Sequence, residues 1–211
     1  FGSGVTIGSL TTIILNLLFF HVGRQASPDV AVVDGKKINL DDVNAMDRSE
    51  FVSTFSVMFS QHTWPVERAW ESRPFASVSE LRSSFEDAVL AAAPDEAEEL
   101  IASYTDVVSL VLDGQGDEQS SSDLSALSVG DVTDEEAEEL RALSTAYRDK
   151  FNRPLVICAD NVVDRKHLLE SGWRRVEHSP AREARFALGE VIDIADLRFD
   201  QLVADANPMR A

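Results

Sequence analysis

The residues that could carry out chemistry are few in this sequence, and their spacing matches no common catalytic or metal-binding motif. The four histidines, His21, His62, His167 and His178, lie far apart, so no pair has the spacing of metal ligands. The chain also has no glycine-rich phosphate loop and no nucleophile elbow. Its one cysteine, Cys158, lies in the apolar run PLVICAD, which predicts a small buried hydrophobic residue in a reducing compartment. No metal site is therefore expected.

The charge of the chain restricts its partners. The sequence has 37 acidic and 19 basic residues, for a net charge of −18, and it contains no stripe of lysine and arginine. Binding to a phosphate backbone needs such a stripe, so the composition argues against a nucleic-acid partner. With 211 residues, 44% of them apolar, the chain is long enough for one globular domain with a real core and an additional segment.

Residues 1–22 form an apolar run without a charged residue, and the first charge is Arg24. As a helix this run would be about 33 Å long, close to the roughly 30 Å of a bilayer core. The run lacks the Met, the basic region and the cleavage site of a signal peptide. We therefore expect a transmembrane helix at 1–23, a linker at 24–40 and a domain at 41–211, with a buried core helix as the alternative. Arg24, Lys36 and Lys37 follow the run and place the domain in the cytoplasm by the positive-inside rule.

Helix start signals and apolar periodicity dominate the rest of the chain. Capping boxes begin at Ser77, with Glu80 three residues on, and at Thr133, with Glu136. Pro94 occupies a favourable first-turn position. Two apolar stripes at helical spacing follow, comprising Ala137, Leu140, Leu143, Tyr147 and Phe151, and then Leu188, Val191, Ile192, Ala195, Phe199 and Leu202. PLVICA is too short and isolated to build a sheet, so we predict an all-α fold, an irregular bundle of about eight helices.

Residues 3–23, SGVTIGSLTTIILNLLFFHVG, resemble the last transmembrane helix of xanthine/uracil-type nucleobase permeases. The resemblance implies that the chain is the C-terminal part of a longer membrane protein, with a cytoplasmic domain attached.

The helical domain resembles a second family, the 2-oxo-4-hydroxy-4-carboxy-5-ureidoimidazoline (OHCU) decarboxylases. Residues 59–81, FSQHTWPVERAWESRPFASVSEL, carry the family's N-terminal signature. Residues 146–158 resemble its Ala-Tyr-x-x-Lys-Phe-Gly-Phe-Pro-Phe segment, with departures at Asn152 and Arg153, and residues 187–202 resemble its last helix. The residues that match the signature are Trp64, Glu67, Arg68, Ala69, Trp70, Arg73, Pro74 and Phe75. The resemblance implies an all-α bundle that removes CO2 from OHCU to give (S)-allantoin without a cofactor.

The resemblance also implies catalytic positions, and this chain departs from the family at each of them. The acid/base histidine of the family's Ala-His-Pro-Asp-Leu motif corresponds to Tyr104 in SYTDV, while Asp106 is kept. A phenol has a pKa of about 10 against about 6.5 for an imidazole, so a tyrosine is a poor general base at neutral pH. The plainer interpretation is that Tyr104 packs its ring into the core at a helix end.

The family's Ser-x-x-Glu-Gln motif corresponds to Ser120, Asp123 and Leu124 in a polar loop. Ser120 is kept, Asp123 is one methylene shorter than glutamate, and Leu124 cannot donate a hydrogen bond. A misplacement of roughly 1 Å can lower a rate on the order of 10²-fold. Together with Tyr104 as the other catalytic candidate, these changes lead to the hypothesis that the domain is catalytically weak or inactive.

Two further substrate-binding positions follow from the resemblance. The family's binding arginine corresponds to Arg175, and the asparagine three residues on becomes His178. The plainer interpretations are a solvated Arg174-Arg175 pair and an exposed loop histidine before Pro180.

Three functions remain open at this point. The first is an OHCU decarboxylase joined to a transporter of its pathway. The second is a non-catalytic module that senses a ureide or stabilises the permease, and the third is a structural tail. The expected partner is a small ureidoimidazoline or a related purine catabolite, the membrane is reached through the N-terminal helix, and homodimerisation is left open.

Overall fold

The computed structural model describes residues 37–113 and 132–204, all within one compact unit that spans residues 35–211. The described part is helical and contains nine α-helices, in agreement with the predicted bundle of about eight. Their bounds are α1 Leu40–Ala45, α2 Arg48–Phe55, α3 Trp64–Trp70, α4 Val78–Leu90, α5 Pro94–Ala102, α6 Val107–Asp113, α7 Asp134–Phe151, α8 Arg165–Val176 and α9 Pro180–Leu202. Two 3₁₀ turns, Ser56–Phe59 and Ala159–Asn161, connect them.

The predicted helix starts are confirmed. The Ser77 hydroxyl accepts a hydrogen bond from the Glu80 N–H and begins α4, and Thr133 and Glu136 form a complete capping box at α7. Pro94 is the first residue of α5. Side-chain oxygens of the caps replace the backbone acceptors that the first turn lacks, which is why these helices begin where the sequence indicates.

No strand forms in the described residues, and the PLVICA run is extended but does not pair with a neighbouring strand. The single isolated bridge pairs Ile38 with Val203, where the Ile38 N–H donates to the Leu202 carbonyl at 2.8 Å. Within 37–113 and 132–204, no helix combines the length and the hydropathy that a membrane span requires. The predicted transmembrane segment 1–23 and most of the linker lie outside the described residues.

The core consists of two apolar clusters. The first joins α2, α3, α4, α5 and α9 around a group of phenylalanines, in which the Phe51 and Phe55 rings lie 4.8 Å apart between centroids. The second joins α6, α7 and α8 around Leu140, Leu143 and Leu168. Both clusters bury the apolar stripes that the helical spacing predicted.

The extended residues 154–158 run between the two clusters. Successive side chains of an extended chain point to opposite sides. Val156 accordingly belongs to the first cluster, while Leu155 and Ile157 belong to the second. Cys158 follows them and is buried, as predicted, and this burial raises the pKa of its thiol to about 12. This segment forms the wall of the candidate site.

Candidate functional site

A small cleft with a cavity volume of about 30 Å³, partly open to solvent, lies where the two apolar clusters meet. We call it the Tyr104 cleft. Five parts of the chain build it: the loop between α5 and α6, the first half of α6, the extended segment, the 3₁₀ turn that follows this segment, and the C-terminal half of α9. Its lining residues are Tyr104, Thr105, Val107, Leu110, Val156, Ile157, Ala159, Ile194, Leu197 and Arg198.

Tyr104 is held at the end of α5. Its N–H donates to the Ile101 carbonyl at 3.2 Å, which closes the last turn of the helix. Its ring packs in the first apolar cluster, and its hydroxyl lies 3.3 Å from the Met58 carbonyl oxygen, to which it donates. The plain interpretation of Tyr104 as a core ring at a helix end is therefore confirmed, and the same ring also lines the cleft.

Asp106 fixes the loop that carries Tyr104. The carboxylate is buried and accepts hydrogen bonds from the Val108 N–H at 3.0 Å, the Ser144 hydroxyl at 3.1 Å and the Leu155 N–H at 3.1 Å. It therefore joins the start of α6 to α7 and to the extended segment. A buried carboxylate with several donors is a strong positioning element, because charge-assisted hydrogen bonds are the strong ones.

Arg198 is the cationic side chain of the cleft. It is 1% exposed and projects from the apolar face of α9, and its Nη1 donates to the carbonyls of Val57 at 3.1 Å and Met58 at 3.3 Å. Its guanidinium carbon lies 5.9 Å from the centroid of the Tyr104 ring. The Met58 carbonyl thus accepts from both Tyr104 and Arg198, which ties the two side chains into one arrangement.

The cleft combines apolar walls with a few polar groups. Apolar walls from Val107, Ile194 and Leu197 enclose it, while a phenol, a guanidinium and the Thr105 hydroxyl provide the polar groups. A guanidinium donates to carbonyl and carboxylate oxygens and cannot act as a base. No histidine belongs to the part of the lining that the structure describes.

Arg175 and His178 lie elsewhere, in a buried ion cluster that comprises Tyr147, Arg175, His178, Glu183 and Glu190. The Arg175 Nη2 donates to the Glu183 Oε1 at 2.6 Å, and its Nη1 lies 3.4 Å from the Glu190 Oε1. The His178 Nδ1 lies 2.7 Å from the Glu183 Oε2, and the Tyr147 hydroxyl donates to the Glu183 Oε1 at 2.6 Å.

Two plainer interpretations from the sequence are wrong here. Arg175 is not on a solvated face, although its neighbour Arg174 is exposed, and His178 is 6% exposed and not a loop histidine in water. The reason is the tight turn from α8 into α9, which brings the end of one helix onto the first turn of the next. Glu183 is fully buried there and needs positive partners.

The ion cluster positions a wall of the Tyr104 cleft. The Arg175 Nη1 donates to the Val156 carbonyl at 2.7 Å, and the Glu190 carboxylate accepts from the Cys158 N–H at 2.8 Å. Burial raises the pKa of Glu190, against hydrogen bonds and the Arg175 charge that lower it, and burial also raises the pKa of Tyr147 above its ordinary value. The cluster acts on the cleft through the backbone that it holds, and none of its five side chains is part of the cleft lining.

The structure thus separates the candidate residues that resemblance grouped together. Tyr104 lines the cleft, Arg175 and His178 share the ion cluster, and Ser120, Asp123 and Leu124 lie outside the described residues. Their assignment as a common site stays a prediction. Within 37–113 and 132–204, no group of histidine, cysteine and acidic side chains could hold a metal ion.

Sequence reasoning missed Arg198. A signal was present, because Val191, Ala195, Arg198 and Leu202 recur at helical spacing on one face of the last helix. An arginine within an apolar stripe must be buried with polar partners or must line a cavity. Its partners, the carbonyls of Val57 and Met58, lie about 140 residues away along the chain, so no local pattern could have identified them.

Comparisons with known proteins agree with this fold. The family model described as OHCU decarboxylase matches residues 44–200. A 2-oxo-4-hydroxy-4-carboxy-5-ureidoimidazoline decarboxylase of Haloferax volcanii is 34% identical over 164 residues, which cover 77% of this chain and 94% of that protein. The corresponding mouse protein is 30% identical, over 76% of this chain and 90% of its own length.

Two solved structures share the fold. An (S)-allantoin synthase superimposes with a TM-score of 0.60 at 22% identity, over 78% of this chain and 54% of that longer one. An OHCU decarboxylase crystallised in the presence of (S)-allantoin gives a TM-score of 0.56 at 16% identity, over 74% of this chain and 97% of the other. The match of the family model to three quarters of the chain, together with the close relatives, shows that this protein belongs to the OHCU decarboxylase family.

Proposed function

We propose that this domain binds OHCU or a closely related ureide in the Tyr104 cleft and decarboxylates it slowly or not at all. The observation that carries the proposal is the place of Tyr104, which lines the cleft beside Arg198. The family's acid/base histidine corresponds to this position. A guanidinium that could hold the substrate therefore lies beside the position that resemblance equates with the family's acid/base histidine, and that position is a tyrosine here.

The chemistry of decarboxylation explains why a tyrosine in place of the family's histidine matters. Loss of CO2 leaves a carbanion, which must be delocalised and then protonated on one face by a group whose pKa lies near the working pH. Arg198 can hold a carbonyl or ureide oxygen and so favour the developing negative charge. A phenol can donate a hydrogen bond to the substrate. Near neutral pH, however, only a small fraction of phenol groups is ionised and able to accept a proton. Substrate binding is therefore easier to retain than turnover.

Turnover is tested by generating OHCU in situ from urate with urate oxidase and hydroxyisourate hydrolase. Formation of (S)-allantoin is followed by circular dichroism with the full chain, kept in mild detergent, and the Haloferax volcanii relative serves as the reference. We expect little or no acceleration over the spontaneous reaction. Acceleration equal to that of the reference would overturn the proposal of weak catalysis.

Binding is tested separately by calorimetric titration with (S)-allantoin. We expect saturable binding that is lost in Arg198→Gln and retained in Arg174→Gln, a matched exposed control outside the cleft. Absence of binding to a folded wild-type chain would remove the ligand from the proposal and leave a structural domain.

The variant Tyr104→His addresses the acid/base position alone. We expect it not to restore full turnover, because Asp123 and Leu124 still differ from the family pattern. Turnover equal to that of the reference in this single variant would mean that the histidine position alone limits the reaction.

The alternative is a non-catalytic module of a nucleobase transporter, joined to it through a membrane helix at residues 1–23 and located in the cytoplasm. The uncharged apolar run at 1–22 favours this alternative. Expression of the full chain followed by membrane flotation and carbonate extraction tests it. Recovery of the chain in the carbonate-resistant membrane fraction is expected, and full release by carbonate would contradict the anchor.

A further inference from the structure

A second cleft opens on the other side of the Tyr104–Thr105 loop and has a different chemical character. We call it the polar cleft. It encloses about 830 Å³ that includes open solvent, and its polar lining comes from the loop and from the end of α7. The side chains that matter here are Thr105, Asp106, Ser109, Arg148, Asn152 and Arg153.

Arg153 is the unusual residue of this cleft. It is 8% exposed, although it lies in the connection that follows α7. Its Nε donates to the Phe151 carbonyl at 3.4 Å, and its Nη2 pairs with the Glu98 Oε1 at 2.7 Å. Its Nη1 is buried and has no hydrogen-bond partner among the described residues. A buried, unpartnered donor on a charged group is costly, so such a donor calls for an acceptor.

Arg148 provides a second guanidinium in the same cleft. Its side chain is more than half exposed, and its Nη2 lies 3.5 Å from the Asp106 Oδ2, too far for a strong hydrogen bond. The Asp106 carboxylate already accepts from two N–H groups and the Ser144 hydroxyl. Arg148 therefore retains donors that can turn toward a ligand in the cleft.

The two arginines stand out against the charge of the whole chain. In a chain of net charge −18, the described residues that line the polar cleft include two guanidinium groups and one carboxylate, that of Asp106, which accepts from other donors. Glu98, the ion-pair partner of Arg153, is half exposed and does not line the cleft. Guanidinium groups match the geometry of carboxylate and phosphate oxygens, so the local chemistry favours an anion.

We propose that the polar cleft binds a small oxyanion, a phosphate or a carboxylate, between Arg153 and Arg148. The site is distinct from the Tyr104 cleft and shares only Tyr104 and Thr105 with it. Arg153 is one of the two positions at which the chain departs from the Gly-Phe pair of the segment that it resembles. The proposal does not depend on turnover of OHCU.

The test is a calorimetric titration of the full chain with inorganic phosphate and, separately, with malonate, which distinguishes the two sources of oxyanion. Sodium chloride at equal ionic strength controls for screening, since any salt relieves self-repulsion in so acidic a chain. We expect saturable binding of at least one probe and a matching rise in the thermal midpoint, because a ligand that binds only the folded state stabilises it.

Three variants decide the assignment. Arg153→Gln should weaken binding by at least about tenfold and Arg148→Gln by severalfold, because each substitution removes a charged hydrogen-bond donor. Arg48→Gln, at an exposed arginine paired with Glu67 on another part of the surface, should bind as the wild type does.

Two outcomes would overturn the proposal. One is a response to phosphate and malonate that equals the response to chloride. The other is wild-type affinity in Arg153→Gln. If Arg153→Gln does not fold, Arg148→Gln decides, because the exposed Arg148 side chain can be exchanged without disturbing the core, and wild-type affinity in that variant would also exclude the site.

Discussion

Two arginines, Arg175 and Arg198, are equally buried at 1% exposure and yet serve different regions of the molecule. Arg175 lies between Glu183 and Glu190, where its charge is neutralised by carboxylates. Arg198 donates to the carbonyls of Val57 and Met58 and lines a cleft. The burial of an arginine therefore does not identify a functional residue by itself, because its hydrogen-bond partners must also be known.

The two regions are nevertheless connected. Arg175 holds the Val156 carbonyl and Glu190 holds the Cys158 N–H, and both belong to the extended segment that lines the Tyr104 cleft. The ion cluster thus supplies rigidity to a wall whose other side faces the ligand space. Arg175 therefore contacts the cleft wall through its backbone, by the hydrogen bond to the Val156 carbonyl.

The largest expected effect comes from Arg175→Met. Two buried carboxylates would lose their cation, and breaking a buried pair in this way costs about 3–5 kcal/mol. Urea unfolding, followed by circular dichroism at 222 nm, measures the change. The exposed neighbour provides the control, since Arg174→Met should stay within about 0.5 kcal/mol of the wild type. A loss below about 1 kcal/mol at Arg175 would contradict the structural role of the ion cluster.

The next effect concerns two glycines beside the cluster, Gly172 on α8 and Gly189 on α9. A Cβ at Gly172 would lie 2.5 Å from the Leu143 Cδ2, whereas a Cβ at Gly189 has no atom within 4 Å. We expect Gly172→Ala to destabilise by about 1–3 kcal/mol, since a fully buried leucine must shift.

Gly189→Ala serves as the matched variant and should stabilise by about 0.5–1 kcal/mol, because alanine is the better helix former. Both values come from the same urea titrations. Equal effects at the two positions would show that α8 and α7 are not as closely packed around the ion cluster as described.

A smaller effect is expected in the pH dependence of Glu190. Burial raises its pKa above the ordinary 4.5, so between that value and the folded-state pKa the folded chain holds a proton that the unfolded chain has lost. The contribution of Glu190 to stability is therefore larger at low pH and is lost as the pH rises through this window, by at most about 1.4 kcal/mol per pH unit.

Measurement of the free energy of unfolding of wild type and Glu190→Gln between pH 4 and pH 7 checks this sign. The difference between wild type and variant should grow in favour of the wild type as the pH falls. A difference that shrinks on acidification would mean that the Arg175 charge outweighs burial and lowers the pKa of Glu190.

The last comparison is between two tyrosine hydroxyls, and the smallest effect is expected at the one in the Tyr104 cleft. The Tyr104 hydroxyl lies 3.3 Å from a carbonyl, whereas the Tyr147 hydroxyl lies 2.6 Å from the Glu183 carboxylate. Tyr104→Phe should lower stability by about 1 kcal/mol or less, and Tyr147→Phe by about 1.5–3 kcal/mol, as is usual for a bond to a charged group. Thermal and urea unfolding of both variants measure the two losses of stability. A larger loss in Tyr104→Phe would mean that the hydroxyl in the cleft contributes more to stability than the one in the ion cluster.

Much of the local structure could be predicted from the sequence. The caps at Ser77 and Thr133 and the stripe on α7 depend on residues a few positions apart, so spacing was sufficient to place them. The helical class followed because strand patterns were scarce. The burial of Cys158 followed from its apolar neighbours.

The candidate site could be predicted only in part. Tyr104 was identified through resemblance, and the structure places it in the cleft. The surroundings of Arg175 and His178 were predicted incorrectly, because the burial of Glu183 beside them depends on how α7, α8 and α9 meet. Arg198 and Arg153 were missed as cleft residues for the same reason, since their partners come from distant segments.

The sequence by itself determined the helical class, most helix starts and the membership of the family, because these depend on short-range spacing and ordered motifs. Only the tertiary structure decided which buried charges are neutralised and which line a cleft. That outcome depends on contacts between residues up to 141 positions apart, such as Arg198 and Val57. A buried charge needs polar partners because desolvation is costly. This requirement does not show from the sequence which residues those partners are.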